Sequence, residues 1–388
     1  MKQRISSIDI VRGLVMIIMA LDHTRDLLHV SSLTASPTNL ATTTPALFFT
    51  RWVTHLCAPT FVFLSGVSVY LFMKRATSIK EMQSFLRKRG LWLIVAELIF
   101  INFAIWFDIQ FRLVILMVIS AIGIGMIILS FLLKASPRQT GIVAIAVIFL
   151  HNLLEFVSLP ANPIAAVFSN LLFIPGFIVN SPHFQVLVSY PFIPWVAVML
   201  LGFSMGKIFE MNVAQRNKKL LNIGLLSIVL FSLLRFTNVH GDPTPWQTQS
   251  TGLYSFLSFL NVTKSPPSLQ FILLFLGLTL LCLRLADSVP GKIKEILLVY
   301  GKVPLFYYLV HFYVIRLATF IMVYAQGFTW KDLSFAPFQY GRPATGSGIE
   351  LPGVFVAWVF IVVLMYPLCK WYGNYKARHP EKQWLRYL

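Results

Sequence analysis

Charge is scarce in this chain: 12% of its 388 residues are Asp, Glu, Lys or Arg, against 57% hydrophobic. A soluble chain of that length needs far more polar surface to stay dispersed, so a water-dissolved globular domain is excluded. Acid is scarcer than base, with 14 Asp and Glu against 32 Lys and Arg. The bases are not gathered into a duplex-binding face but sit at alternate ends of apolar segments, the signature of membrane orientation. Nucleic acid is therefore not an expected partner; the lipid bilayer is. Cysteine is nearly absent, and Cys57, Cys282 and Cys369 all fall in apolar stretches, which gives no disulfide framework or paired zinc motif. A small-residue cleavage site is missing after the first apolar segment, which ends in DHTRD, so that segment is expected to stay as an anchor. No HxxxH or HExxH spacing occurs, and no metal is expected. No internal repeat is evident, which disfavours inverted-repeat transporters.

What fills the chain is hydrocarbon-length runs. Gly90–Phe107 carries one ionisable residue, Glu97, and Ser268–Leu283 carries none; such runs cross an apolar core of roughly 30 Å. The expected class is all-α, a polytopic membrane protein of about ten transmembrane helices forming one domain over residues 1–388. Helices are expected near 8–28, 52–73, 88–107, 112–133, 140–157, 190–209, 218–236, 268–286, 297–324 and 352–373. The apolar stretch 164–179, interrupted by Pro175 and Gly176, is a re-entrant or interfacial element or an eleventh helix. With the N-terminus inside, Lys2, Arg4, Arg12, the Arg87–Arg89 cluster, Lys302 and Lys370 all fall on the inner side. The stretches 30–50 and 156–191 hold no Lys or Arg and fall outside. Both termini are thus expected in the cytoplasm.

Ionisable groups inside a bilayer cost about 2.5–3.5 kcal/mol each, so they tend to mark function. The densest group closes the first helix: Asp22, His23, Arg25, Asp26 and His29. Spacings of three, four and seven put Asp22, Arg25, Asp26 and His29 on one face. The second helix opens with Arg51 and His55, one turn apart and at a similar depth. Carboxylate, guanidinium and imidazole groups together suit acid–base work and oxyanion binding. A structural ion-pair network between two helices is the plain alternative. Elsewhere, Glu97 lies mid-membrane as a protonated structural carboxyl or a working one. Tyr307 and Tyr308 precede His311 by four and three residues, so all three share a face; a hydrogen-bonded core histidine is the ordinary reading of His311. Lys264 precedes Pro266 and Pro267 at the entry to the eighth helix, as a substrate contact or a surface charge.

The segments RISSIDIVRGLVMIIMALDHTRDLLH (Arg4–His29) and HLCAPTFVFLSGVSVYLF (His55–Phe72) resemble the bacterial relatives of heparan-alpha-glucosaminide N-acetyltransferase. FLNVTKSPPSL (Phe259–Leu269) and YGKVPLFYYLVHFYVI (Tyr300–Ile315) resemble the same family. The resemblance implies a membrane acyltransferase of a bacterial inner membrane. It would take acetyl from cytosolic acetyl-CoA and deliver it, as O- or N-acyl, to an extracytoplasmic sugar or glycoconjugate. Asp22 stands where the animal enzyme has an asparagine, and His55 where it has an aspartate before its proline–aromatic motif, here Pro59 and Phe61. The animal histidine proposed as catalytic falls near Pro45, where this chain has none.

The expected mechanism follows from both readings. His55 deprotonates the acceptor and Asp22 orients its imidazole, with His23 and Asp26 beside them. Arg25, Arg51 or Lys264 binds the acceptor or the developing charge, and Glu97, Tyr307 and His311 line the substrate path. Lys302 and Arg87 are the candidates for the CoA phosphates. A direct transfer and a route through an acyl-histidine are both open, as is homo-oligomerisation. The rival class is a transporter or lipid-handling protein in which Glu97 and His311 form a proton relay.

Overall fold

The computed structural model describes residues 5–156, 162–343 and 346–387. It is 71% helical, and among the described residues eight helices are long and apolar enough to cross a membrane. The chain is an all-α polytopic membrane protein. The eight are Pro45–Met73, Ile79–Trp106, Pro137–Leu154, Phe192–Glu210, Val213–Thr237, Leu269–Ser288, Pro304–Ala325 and Leu351–Arg378. The charged Ser6–Leu28 and the shorter Val118–Leu132 are helices as well. Every expected segment therefore contains a helix. Lys2, Arg4 and residue 157 lie outside the described residues.

Proline accounts for most departures from the expected boundaries. The segment expected as 297–324 is two helices, Gly291–Gly301 and Pro304–Ala325, because Pro304 lacks the N–H that would continue the first and is preset to start the second. The segment expected from residue 52 starts at Pro45, where Thr44 accepts from the Leu47 amide at 3.3 Å and Pro45 takes the first turn. It then breaks between Thr54 and Cys57. Pro59 has no amide for the His55 carbonyl, so the helical ladder lapses there. In the stretch 164–179, the short helix Pro163–Leu172 leads into the strand Gly176–Asn180. That strand pairs antiparallel with Gln185–Val188, and with Leu113–Leu116 they form one three-stranded sheet in the order first, third, second.

The chain divides into two compact units. One comprises Met1–Cys57, Ile99–Leu113 and Ala286–Leu388. Within it, Ser6–Leu28 crosses Gly291–Gly301 with backbones touching: a Cβ on Gly13 would strike the Leu297 carbonyl, and one on Gly301 the Asp9 carbonyl. Small residues permit such approach where no hydrophobic force distinguishes helix from lipid. Leu351–Arg378 buries Val354, Ile361, Met365, Cys369 and Tyr372 on one face and exposes Val356, Phe360 and Val363 on another. That apolar outer face suits lipid.

The other unit comprises Ala58–Leu98 and Val114–Leu285. A Cβ on Gly66 would strike the Met199 carbonyl and one on Gly202 the Phe63 carbonyl, while Gly90 and Gly123 face each other. The Thr60 and Thr279 hydroxyls meet at 2.7 Å. Buried Arg235 donates to the Phe259, Thr244, Ser258 and Asn261 carbonyls at 2.8–2.9 Å. Asp242 accepts from the Thr263 and Thr244 amides and the Thr263 and Ser268 hydroxyls at 2.7–3.0 Å.

Candidate active site

The site is built in the first unit, where Ser6–Leu28 and Pro45–Thr54 bring their polar ends together. Asp22 and Arg25 are three residues apart on one helical turn, and the Arg25 guanidinium donates to Asp22 Oδ1 at 2.9 Å. The same guanidinium donates to Asp26 Oδ1 at 2.6 Å. Arg51, in the last turn of Pro45–Thr54, donates to the other oxygen, Asp22 Oδ2. One buried carboxylate thus bridges two arginines from two helices. Charge-assisted pairs of this kind are short and directional, and they fix the guanidinium planes. Arg25 Nε meets no hydrogen-bond partner among the described residues. His55 is buried one turn beyond Arg51, at the break above Pro59. Both Asp22 oxygens thus accept from guanidinium groups, one from each helix.

The second feature is a group of rings. His23 lies 5.3 Å from His311 and 4.4 Å from Phe312, between ring centres. His311 is fully buried, and Tyr307 stacks on it at 5.4 Å and 21°. Its Nδ1 lies 3.0 and 2.7 Å from the Tyr307 and Tyr308 carbonyl oxygens. Carbonyls only accept, so Nδ1 carries the hydrogen and Nε2 is left as a lone-pair acceptor. Among the described residues, nothing donates to that Nε2 and nothing bonds the buried Tyr307 hydroxyl. The three residues Tyr307, Tyr308 and His311 share a face, as their spacing implies.

Three residues of this unit escaped the sequence reading. Arg316 is buried in Pro304–Ala325 and donates to the Ala104, Ile105 and Tyr340 carbonyls. Tyr340 stacks on Trp106 at 4.9 Å and 18°. Arg342 donates to the His29 carbonyl at 3.0 Å, the Leu27 carbonyl at 3.3 Å and Ser32 Oγ at 2.8 Å, and burial holds its guanidinium at about 10. A charge inside an apolar helix was a usable signal for Arg316. For Arg342, in a polar loop, the sequence offered none. His29 closes the opening helix: its Nδ1 accepts from the Ser31 amide at 3.3 Å and faces Ser31 Oγ at 2.9 Å. Burial first, and the nearby Arg25 charge second, lower its imidazole below the ordinary 6.5.

The remaining candidates make contacts of their own. Glu97 accepts from the Met117 amide at 2.7 Å and the Ile119 amide at 2.9 Å, capping the start of Val118–Leu132. That capping stabilises the helix N-terminus, where orphan amides and the dipole favour a carboxylate. Lys264 lies 5.6 Å over the Tyr190 ring, and Arg87 lies 5.8 Å over Phe131. Lys302 lines a cavity of about 670 Å³ in the first unit, with Lys370, Lys376, Glu295, Tyr366 and Asn374. Asp22, His23 and Asp26 each bring one ligand atom within 4.8 Å of the others. Arg25 already neutralises both carboxylates, and a metal ion would have to displace it.

With that geometry in place, comparison with known families is informative. The model of the catalytic domain of heparan-alpha-glucosaminide N-acetyltransferase matches residues 4–235. No curated protein matches the chain. The matched segment contains Asp22, His23, Arg25, Asp26, Arg51 and His55, whereas His311 and Lys302 lie beyond it.

Proposed function

The match spans more than half of the sequence, so the chain belongs to the heparan-alpha-glucosaminide N-acetyltransferase catalytic family, and from that premise we propose that it acetylates an extracytoplasmic sugar or glycoconjugate with acyl-CoA from the cytoplasm. Its class is a membrane acetyltransferase. The reading sets it in a bacterial cytoplasmic membrane with both termini inside, the whole of 1–388 working as one enzyme. The observation that carries the reading is the carboxylate of Asp22 bridging Arg25 and Arg51 beside a set of imidazoles.

In the proposed reaction the acceptor amine or hydroxyl attacks the thioester carbonyl. The resulting oxyanion is stabilised by guanidinium N–H groups that Asp22 holds in fixed planes, so little reorganisation is needed as charge develops. His55 or His23 takes the acceptor's proton, and the C–S bond then breaks. Asp22 acts here chiefly by ordering two arginines. For the donor, the cavity lined by Lys302, Lys370 and Lys376 supplies three cations and an aromatic ring, Tyr366. That set suits phosphates and an adenine, and Arg87 is the second candidate.

The test is binding of acetyl-CoA to protein in nanodiscs, followed by product analysis over a panel of amino sugars and glycans. His55→Ala and His23→Ala identify the base: the one that abolishes transfer at normal protein abundance removes the group that takes the acceptor's proton. Ion-coupled flux with no acetyl-CoA binding would replace this reading with a transporter.

A further inference from the structure

We infer that His23 and His311 act as a single proton acceptor, His23 facing the acceptor and His311 presenting a bare Nε2 behind it. This deepens the acetyltransferase reading and rests on it. Backbone contacts fix the His311 tautomer: with Nδ1–H directed at the Tyr307 and Tyr308 carbonyls, the opposite edge of the ring presents a bare Nε2. A buried acceptor left without a donor costs about 1–3 kcal/mol. Nothing among the described residues offsets it at Nε2, and a structural histidine has no need of that arrangement. The neighbouring imidazole is His23, half-buried at 5.3 Å, with the Tyr307 and Tyr308 rings at 5.4 and 5.6 Å, and Phe312 lies 4.4 Å from both imidazoles. In such apolar surroundings two imidazolium ions would repel strongly, so the pair can take up no more than one added proton.

Position supports the same role. His23 follows Asp22, whose carboxylate organises Arg25 and Arg51. His311 stands about two turns, roughly 10 Å, into the helix that begins at Pro304. Lys302 and Val303, just before that helix, line the cationic cavity. A donor seated there by its phosphates would extend its pantetheine arm toward His311. The step balances without any further reagent. The acceptor N–H or O–H forms a bond to the acyl carbon and gives its proton to the imidazole pair. Collapse of the oxyanion breaks the C–S bond, and the same proton passes to the CoA sulfur. His23 is the residue in contact, and His311 is the positioning residue.

The experiment combines ¹⁵N-histidine NMR of the intact protein in nanodiscs with kinetics of His311→Gln, His23→Gln and the double variant. The wild type should show His311 protonated at Nδ1 alone. Each single variant should lower kcat by about 10²–10⁴-fold, with acetyl-CoA binding unchanged and a flattened acid limb in the pH profile. The double variant should fall no further than the weaker single, as residues acting in one step do. Rates within threefold of wild type, an unaltered acid limb, additive losses, or an Nε2-protonated His311 would each overturn the pair. If His311→Gln fails to fold, the half-buried His23→Gln and the wild-type tautomer decide the matter. A wild type that transfers no acetyl from acetyl-CoA sinks the acetyltransferase reading itself. An active wild type with an active His311→Gln sinks only the pair.

Discussion

Each of the two units buries arginine against aspartate, and the two groups are built differently. In the second unit Arg235 directs its donors at four backbone carbonyls, and Asp242 collects two amides and two hydroxyls. Their charges lie 3.8 Å apart, and both side chains are essentially unexposed. In the first unit Asp22 meets two guanidinium groups, Arg25 Nε remains without a partner among the described residues, and Arg51 keeps partial exposure. Saturation separates the roles. A charge whose bonds go mainly to a surrounding loop holds that loop in place, whereas one paired side chain to side chain beside imidazoles, with Arg25 Nε still unmet, has capacity left for a substrate.

The sharpest way to break this comparison is to remove one arginine from each group. Arg235→Met leaves Asp242 buried without its countercharge and four carbonyls without donors. A loss of about 3–5 kcal/mol is expected, read as a large drop in Tm in detergent and in folded yield. Any activity lost should track the folded fraction. Arg51→Met should do the opposite. Arg25 still neutralises Asp22, so Tm should stay within a few degrees while transfer falls by about 10²–10³-fold, the scale of losing one oxyanion donor. A collapse of Tm in Arg51→Met with full activity per folded molecule would make the first group structural as well.

How far the sequence foretold this arrangement depends on the range of the signal. Spacing along one helix was legible: Asp22 and Arg25, three apart, do meet, and Tyr307, Tyr308 and His311 do share a face. The meeting of Arg51 with Asp22 followed from two polar helix ends at one depth. Which oxygen of Asp22 accepts from which guanidinium was not legible, because that choice depends on side-chain reach and local backbone course. The Thr44–Pro45 start and the lapse before Pro59 set that course. Both were available as capping and proline signals. Glu97 was read as an intramembrane charge, yet its partners are amides twenty and more residues on, contacts that no periodicity encodes. Arg342 is tied to the end of the opening helix across more than three hundred residues, beyond any local pattern.

The smallest effect sharpens the contrast at the edge of the first group. His29 joins the end of the opening helix to the loop before Leu351: Ile349 donates its amide to the Leu28 carbonyl at 2.9 Å, and Val30 donates to the Ile349 carbonyl at 3.1 Å. Arg25 and Arg342 oppose a positive charge on the His29 imidazole, and Glu350 favours one; burial and the arginines prevail, so its pKa lies below 6.5. Above that value the ring is neutral whether the segment is closed or open, and its titration contributes nothing. As pH falls through 6.5 the open form takes up a proton first, so the closed form loses stability, and the loss ends once pH passes the lowered value. Protonated Nδ1 also ceases to accept from the Ser31 amide and hydroxyl. Hydrogen exchange at Val30 and Ser31 should therefore quicken between pH 7.5 and 5.5, after correction for intrinsic rates. The Leu269 amide, which donates to Asn152 at 2.9 Å in the second unit, has an acceptor with no proton to gain and should hold steady. Equal quickening at both sites would assign the change to general loosening and remove His29 as its source.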